Sequence, residues 1–272
     1  MEKDSGWWAF RGQPDKHLEL STRFERDAER YKCTPYFRKN REVFILKEFQ
    51  RRAHRYQQNL PEYDNYIQWL SLLQHFGGTT RLLDFTFSFY IAAFFALETS
   101  ITDSAIWAVN INRLKESIDK KMDTTTMTPE MWLRENQTKA NQCIDEKEND
   151  ESVLIIDTFL QHERISIQQG LFLFPCKRET PFEKNLCSVF AFPYDRLRNV
   201  SARKLTWKML PDLNFRDISI LKIIIPQKLH ADILYDLRDM NVTAETLFPG
   251  LDGFARSLNL HMRVFELARY SY

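Results

Sequence analysis

At 272 residues the chain has room for one large domain or two small ones. Its 38 Lys and Arg against 37 Asp and Glu exclude a protein that holds nucleic acid through its overall field, while leaving a local basic cleft open. A hydrophobic content of 43%, with 21 phenylalanines, excludes a disordered chain.

The N-terminal MEKDSG has no basic stretch leading into an apolar one, so no signal peptide is expected. The aromatic run WWAF (7–10) has the character of a strand. Residues 41–60 place Val43, Phe44, Phe49, Ala53, Tyr56 and Leu60 near one helical face. Arg41, Lys47, Arg51, Arg52 and Arg55 sit on the other, either as a solvated face or as a track for a phosphate backbone. A second helix spans 65–76. Residues 87–98 (FSFYIAAFFALE) are apolar nearly all round, which predicts a buried central helix too short to cross a membrane. SAIWAVNI (104–111) reads as a strand, and Thr128-Pro129-Glu130 as a cap, first-turn proline and acidic first turn opening a helix through Trp132. An exposed Trp132 could serve an interface with a partner.

The acidic QCIDEKENDES (142–152) reads as a solvated loop. VLIIDTFL, RISIQ, GLFLF and CSVFAF read as short strands, and ISILKIIIP (218–226) as the strongest strand, stopped by proline. Helices are expected over 227–241 and 253–270. The four cysteines show neither a CxxC pair nor metal spacing, as expected of idle thiols in a reducing cytosol. The order of helices, strands, then a closing helix predicts an α+β fold: a single compact domain with a helical N-terminal half packed on a mixed or antiparallel sheet.

Glycine is scarce: seven, where ~7% usage gives roughly 19. Six lie in FRGQ (10–13), QHFGGTTRLLD (74–84), IQQGLFLF (167–174) and LFPGLDGFARSL (247–258). Gly77 fits a helix C-cap and Gly250 a turn, while Gly12 and Gly170, beside strand-like runs, point to close backbone approach. Around them gather Arg11, Gln13, His75, Thr79, Thr80, Arg81, Gln168 and Gln169, a set of forks, amides and hydroxyls suited to a ligand carrying phosphate and sugar. Arg11 needs either an internal carboxylate, with Asp84 the nearest candidate, or a ligand anion. Arg81 could equally be the local partner of Asp84.

FRGQ at 10–13, QHFGGTTRLLDFT at 74–86, RISIQQGLF at 164–172 and LFPGLDGFAR at 247–256 resemble the signature stretches of the FRG domain family. The resemblance assigns residues 7–258 to that domain, with 259–272 a C-terminal helix extending it. Arg11-Gly12 is also similar to the aromatic-Arg-Gly strand that opens the NAD cleft of Arg-Ser-Glu type ADP-ribosyltransferases. That resemblance implies an ADP-ribosyltransferase-like core with NAD as substrate and Arg11 on its pyrophosphate. Ser21-Thr22 or Thr79-Thr80 would supply the second element, and Glu163 or Gln169 the third. Trp7, Trp8, Phe10, Phe85 or Phe172 would wall the nicotinamide. It further implies a cytoplasmic toxin or phage-defence effector that modifies a protein or nucleic acid, with an antitoxin or regulatory partner and no membrane. The alternative is a non-catalytic module that binds a nucleotide, RNA or protein.

Overall fold

The computed structural model describes residues 8–119, 127–145, 150–156, 163–194 and 217–268. Its strands are β1 (Trp8–Gln13), β2 (Leu83–Thr86), β3 (Ser104–Asn110), β4 (Val153–Ile156), β5 (Gly170–Pro175) and β6 (Ile220–Ile225). They form one antiparallel sheet in the order β4-β5-β2-β1-β3-β6. The α+β class and the antiparallel sheet agree with the sequence. The expected run of helices before strands does not, because three of the four inner strands, β1, β2 and β3, come from the N-terminal half. A strand needs no run of neighbours in sequence to find its place in a sheet.

Local chemistry explains most helix ends. Helix α1 (Arg23–Arg30) opens with a capping box in which Thr22 and Glu25 exchange side-chain and backbone hydrogen bonds. Helix α2 (Pro35–Ala53) starts with Thr34 as cap and proline in its first turn. Helix α3 (Tyr66–His75) stops at Gly77, whose φ of +80° suits glycine; the Gly78 N–H reaches back to the Leu73 carbonyl at 2.8 Å. Helix α4 (Phe89–Leu97) is the buried central helix the sequence predicts. Helix α5 (Ile111–Asp119) follows β3 directly, and α6 (Pro129–Ile144) begins at the expected Thr128 cap.

Two predicted strands are helices. Residues of RISIQ lie in α7 (Glu163–Ile167), and those of CSVFAF in and after α8 (Phe182–Val189). In α8 the buried Phe182, Leu186 and Val189 recur at helical spacing, which outweighs the β character of the individual residues. Gln169, with φ of +47°, makes the turn between α7 and β5. Trp132 is also corrected: it is buried, donates its indole N–H to Asp119 at 2.6 Å, and packs in the core. The chain closes with α9 (His230–Asp239), α10 (Ala244–Leu247) and α11 (Leu251–Ala268), the last running through the expected 258/259 boundary. No helix among the described residues is long and apolar enough to cross a membrane. The cysteines are free, three of them buried, and burial, helped by Glu183, pushes the Cys187 thiol up to about 11.

Two features hold this arrangement. Gly12 of β1 lies directly on the backbone of α4: a Cβ there would stand 2.0 Å from the Ala92 carbonyl oxygen and 2.5 Å from the Ala96 nitrogen. Between α2 and β5, Glu42 pairs with two buried guanidinium groups, Arg81 at 2.6 Å and Arg178 at 2.6 Å. Arg81 also donates to the carbonyls of Pro175 and Cys176, both at 3.0 Å, and lies over the Phe174 ring.

Gly12→Ala must push β1 off α4 and is expected to lower stability by at least about 2 kcal/mol in urea denaturation. Glu42→Ala leaves two guanidinium groups without their shared carboxylate and is expected to cost about 3–5 kcal/mol in the same measurement.

Candidate functional site

Strands β1 and β2 meet at a single ladder pair, Phe10 with Thr86, whereas β1 pairs with β3 along its whole length. Beyond that pair the two strands part, and Arg11 stands in the gap. Its Nη1 donates to the backbone carbonyl of Asp84 at 2.8 Å, where a continued ladder would place a backbone N–H. The gap opens into a cavity of about 500 Å³. Its walls come from β1 and β2, from Phe172 of β5, from α1 through Arg23 and Arg26, from α3 through Ser71, Gln74 and His75, and from Phe95 of α4.

The electrostatics of this wall are incompletely matched. The Arg11 side chain is 19% exposed, and its nearest carboxylate oxygen, on Asp84, is 3.7 Å away. Its Nε is buried with no hydrogen-bond partner. Burial works against the Arg11 charge, Asp84 supports it, and Arg26 opposes it. Burial likewise lowers Arg26, with Asp27 and Glu25 acting the other way. The Ser71 hydroxyl, in a residue 3% exposed, is buried without a partner on the same wall. Unmatched buried donors of this kind are costly, and a ligand would relieve them.

The sequence-derived candidates divide into those that face the cavity and those that support it. Arg11, Gly12, His75, Asp84 and Gln168 line it. Gln13 does not: its amide accepts from the Trp107 indole at 2.8 Å and donates to the Glu19 carbonyl at 2.9 Å. Thr79 donates to Asp27 at 2.6 Å, and the Thr80 carbonyl accepts from the Phe24 N–H at 3.0 Å, so this turn fastens α1. The Thr80 hydroxyl donates to Gln74, whose amide in turn donates to Asp84 at 2.7 Å. Arg81 is locked on Glu42, which answers the question of its partner: it is not Asp84. Thr22 is the cap of α1. Gln168 donates to the Leu247 carbonyl at 2.9 Å, and Gln169 stands in the turn behind it. Glu163 opens α7, a helix that reaches the cavity at Ile165, while Trp7 lies outside the described residues. Of the aromatic candidates, Phe10, Phe85 and Phe172 line the cavity, and Trp8 does not.

Arg23, Arg26, Ser71 and Gln74 are additional wall residues. The Thr-x-x-Glu pattern at 22–25 marks the start of α1 and could have pointed to two arginines on it. Nothing local marks Ser71, which sits among buried apolar neighbours of α3.

Residues 6–105 match the family model of the FRG domain. This supports the FRG family for the part of the chain that holds β1, β2, α1, α3 and α4, and with them Arg11, His75 and Asp84. The match ends before Glu163, Gln168 and Gln169, short of the span to about residue 258 suggested by the resemblance. No curated protein and no solved structure matches the chain.

The α1 capping box has its own titration. Burial pushes the Glu25 carboxyl up to about 7, against backbone N–H groups of Thr22 and Phe182 that favour the anion. Glu29 adds to the upward shift and Arg26 opposes it. Because the folded value lies above the ordinary 4.5, the stabilisation is full below that pH and is lost as pH rises through about 7. Denaturation between pH 4.5 and 8 is expected to show a decline on the order of 3 kcal/mol, and Glu25→Gln to flatten that slope.

Proposed function

We propose that the cavity binds NAD and that the protein is an ADP-ribosyltransferase-like enzyme acting on a macromolecule. The observation that carries this reading is Arg11, a mostly buried guanidinium in the gap between β1 and β2, with an unpartnered Nε and a carboxylate no nearer than 3.7 Å. A pyrophosphate would complete it with charge-assisted hydrogen bonds. Arg23 and Arg26 add positive charge, and the Ser71 hydroxyl offers a donor to a ribose or phosphate oxygen. A volume of about 500 Å³ falls within the range of small-molecule sites, and Phe10, Phe85 and Phe172 offer flat apolar walls for a nicotinamide ring.

In the proposed reaction the bond between nicotinamide nitrogen and ribose C1′ breaks, and the pair of electrons leaves with nicotinamide. The acceptor's nucleophile bonds to C1′ and releases its proton. Positive charge develops on the ribose, so a carboxylate beside it lowers the barrier. Asp84 lines the cavity, and Glu163 heads the helix that borders it, so these two residues are our candidates for the role. Modification of a cellular macromolecule would suit a cytoplasmic toxin or phage-defence effector restrained by a partner protein.

A second reading, a nucleotide-binding module without catalysis, draws support from Asp84. Its carboxylate already accepts from Gln74 at 2.7 Å and faces Arg11, so it is partly occupied.

Calorimetry with NAD and nicotinamide release from labelled NAD in cell extract separate these readings. Arg11→Ala is expected to weaken NAD binding about 10- to 100-fold, the loss of a charged hydrogen-bonding group. Asp84→Asn or Glu163→Gln is expected to retain binding and to suppress release if that carboxylate serves the ribose. Binding without release or label assigns the module; no binding at all removes both readings.

A further inference from the structure

Three exposed aromatic rings lie close to residues that line the cavity. Phe76, 65% exposed, lies between the lining residues His75 and Gly77, and its ring meets the His75 ring edge-on at 4.9 Å. Phe89, 38% exposed, stands edge-on to the lining Phe10 at 5.5 Å. Tyr90, 52% exposed, stands beside Phe89 at 6.1 Å. Exposed apolar residues scattered singly call for no explanation, but rings grouped around a charged cavity do. Three of the four Asp, Glu, Lys and Arg residues among the described lining are arginines, with Asp27 behind them 3.7 Å from Arg23. Arg23 and Arg26 of α1 are exposed on the wall, and Asp84 is the one carboxylate among the described lining residues.

We infer that this rim is a platform for a single-stranded nucleic acid, whose bases stack on Phe76, Phe89 and Tyr90 while its phosphates meet Arg23 and Arg26. The inference rests on the reading of the cavity as an anion site and extends it to the acceptor. Flat rings take any unpaired base because every base offers a π-face, and arginines follow the backbone. Bases within a duplex are stacked on each other and cannot use such rings, so the arrangement selects single strands. Arg11, deeper in the gap, remains available to the small molecule. The balanced net charge of the chain makes this a local site rather than a general affinity for polyanions.

The test is fluorescence anisotropy with a labelled 12-nucleotide single-stranded RNA, the same sequence as single-stranded DNA, and the corresponding duplex, each at two salt concentrations. The full chain is expected to bind one or both single strands, more weakly as salt rises, and the duplex at least about 10-fold less well. Phe76→Ala and Tyr90→Ala are each expected to weaken single-strand binding about 10-fold while leaving the melting temperature unchanged and NAD affinity within about 2-fold of the parent. Arg23→Ala with Arg26→Ala should flatten the salt dependence. Failure to bind either strand, equal binding of the duplex, or unchanged affinity in both aromatic variants overturns the inference, as does label from NAD appearing in protein alone. If NAD does not bind but the strand does and depends on the rings, the platform stands and the NAD reading falls.

Discussion

The site depends on one substitution of a side chain for backbone. Strand β1 is paired fully with β3, and β2 fully with β5, yet β1 and β2 join at only one ladder pair. Where the ladder fails, the guanidinium of Arg11 takes the Asp84 carbonyl. A side chain can span a gap that a backbone N–H cannot, so the sheet stays continuous while opening a space between its halves. Gly12 helps hold the opening, because its missing side chain lets β1 sit against the backbone of α4. Arg11 and Gly12 thus perform two halves of one task, one bridging the gap and the other seating the strand that forms its edge.

Two arginines of the same chain show how environment assigns roles. Arg81 is almost completely buried, yet its charge is answered by Glu42, two backbone carbonyls and the face of Phe174. Shared between Arg81 and Arg178, Glu42 ties α2 to the sheet where β2 begins and β5 ends. Arg11 is more open but less satisfied, with a distant carboxylate and an unpartnered Nε. Each guanidinium keeps one buried nitrogen without a partner, Nη2 in Arg81 and Nε in Arg11, but only Arg81 has a carboxylate in direct contact, at 2.6 Å against 3.7 Å for Arg11. The Thr79-Thr80 turn links the two regions, since it fastens α1 through Asp27 and Phe24 and orients Gln74 toward Asp84.

Most of what was readable in the chain comes from short-range chemistry. The cap at Thr128 and the glycine at 77 each depend on residues within one turn, and both stand where expected. The all-apolar 89–97 read as a buried helix, and it is one from Ile91 to Leu97, with Phe89 and Tyr90 of its first turn left exposed. The close approach at Gly12 was legible because glycine is rare in this chain and weakens a strand unless something needs the space. The same reasoning failed for 164–168 and 187–192, whose β-forming residues gave no sign that neighbouring elements would favour helix.

Composition and local pattern were enough for the α+β class, the main helices and the importance of Arg11-Gly12. They could not decide which arginine would be neutralised, because the partner of Arg81 lies 39 residues away and that of Arg11 lies 73 away. Nor could they reveal that β1 and β2 would part, that Ser71 would face a cavity, or that Gln13 would be absorbed by Trp107. Hydrogen bonds and ion pairs act over a few ångströms, and only the folded chain decides which groups come that close.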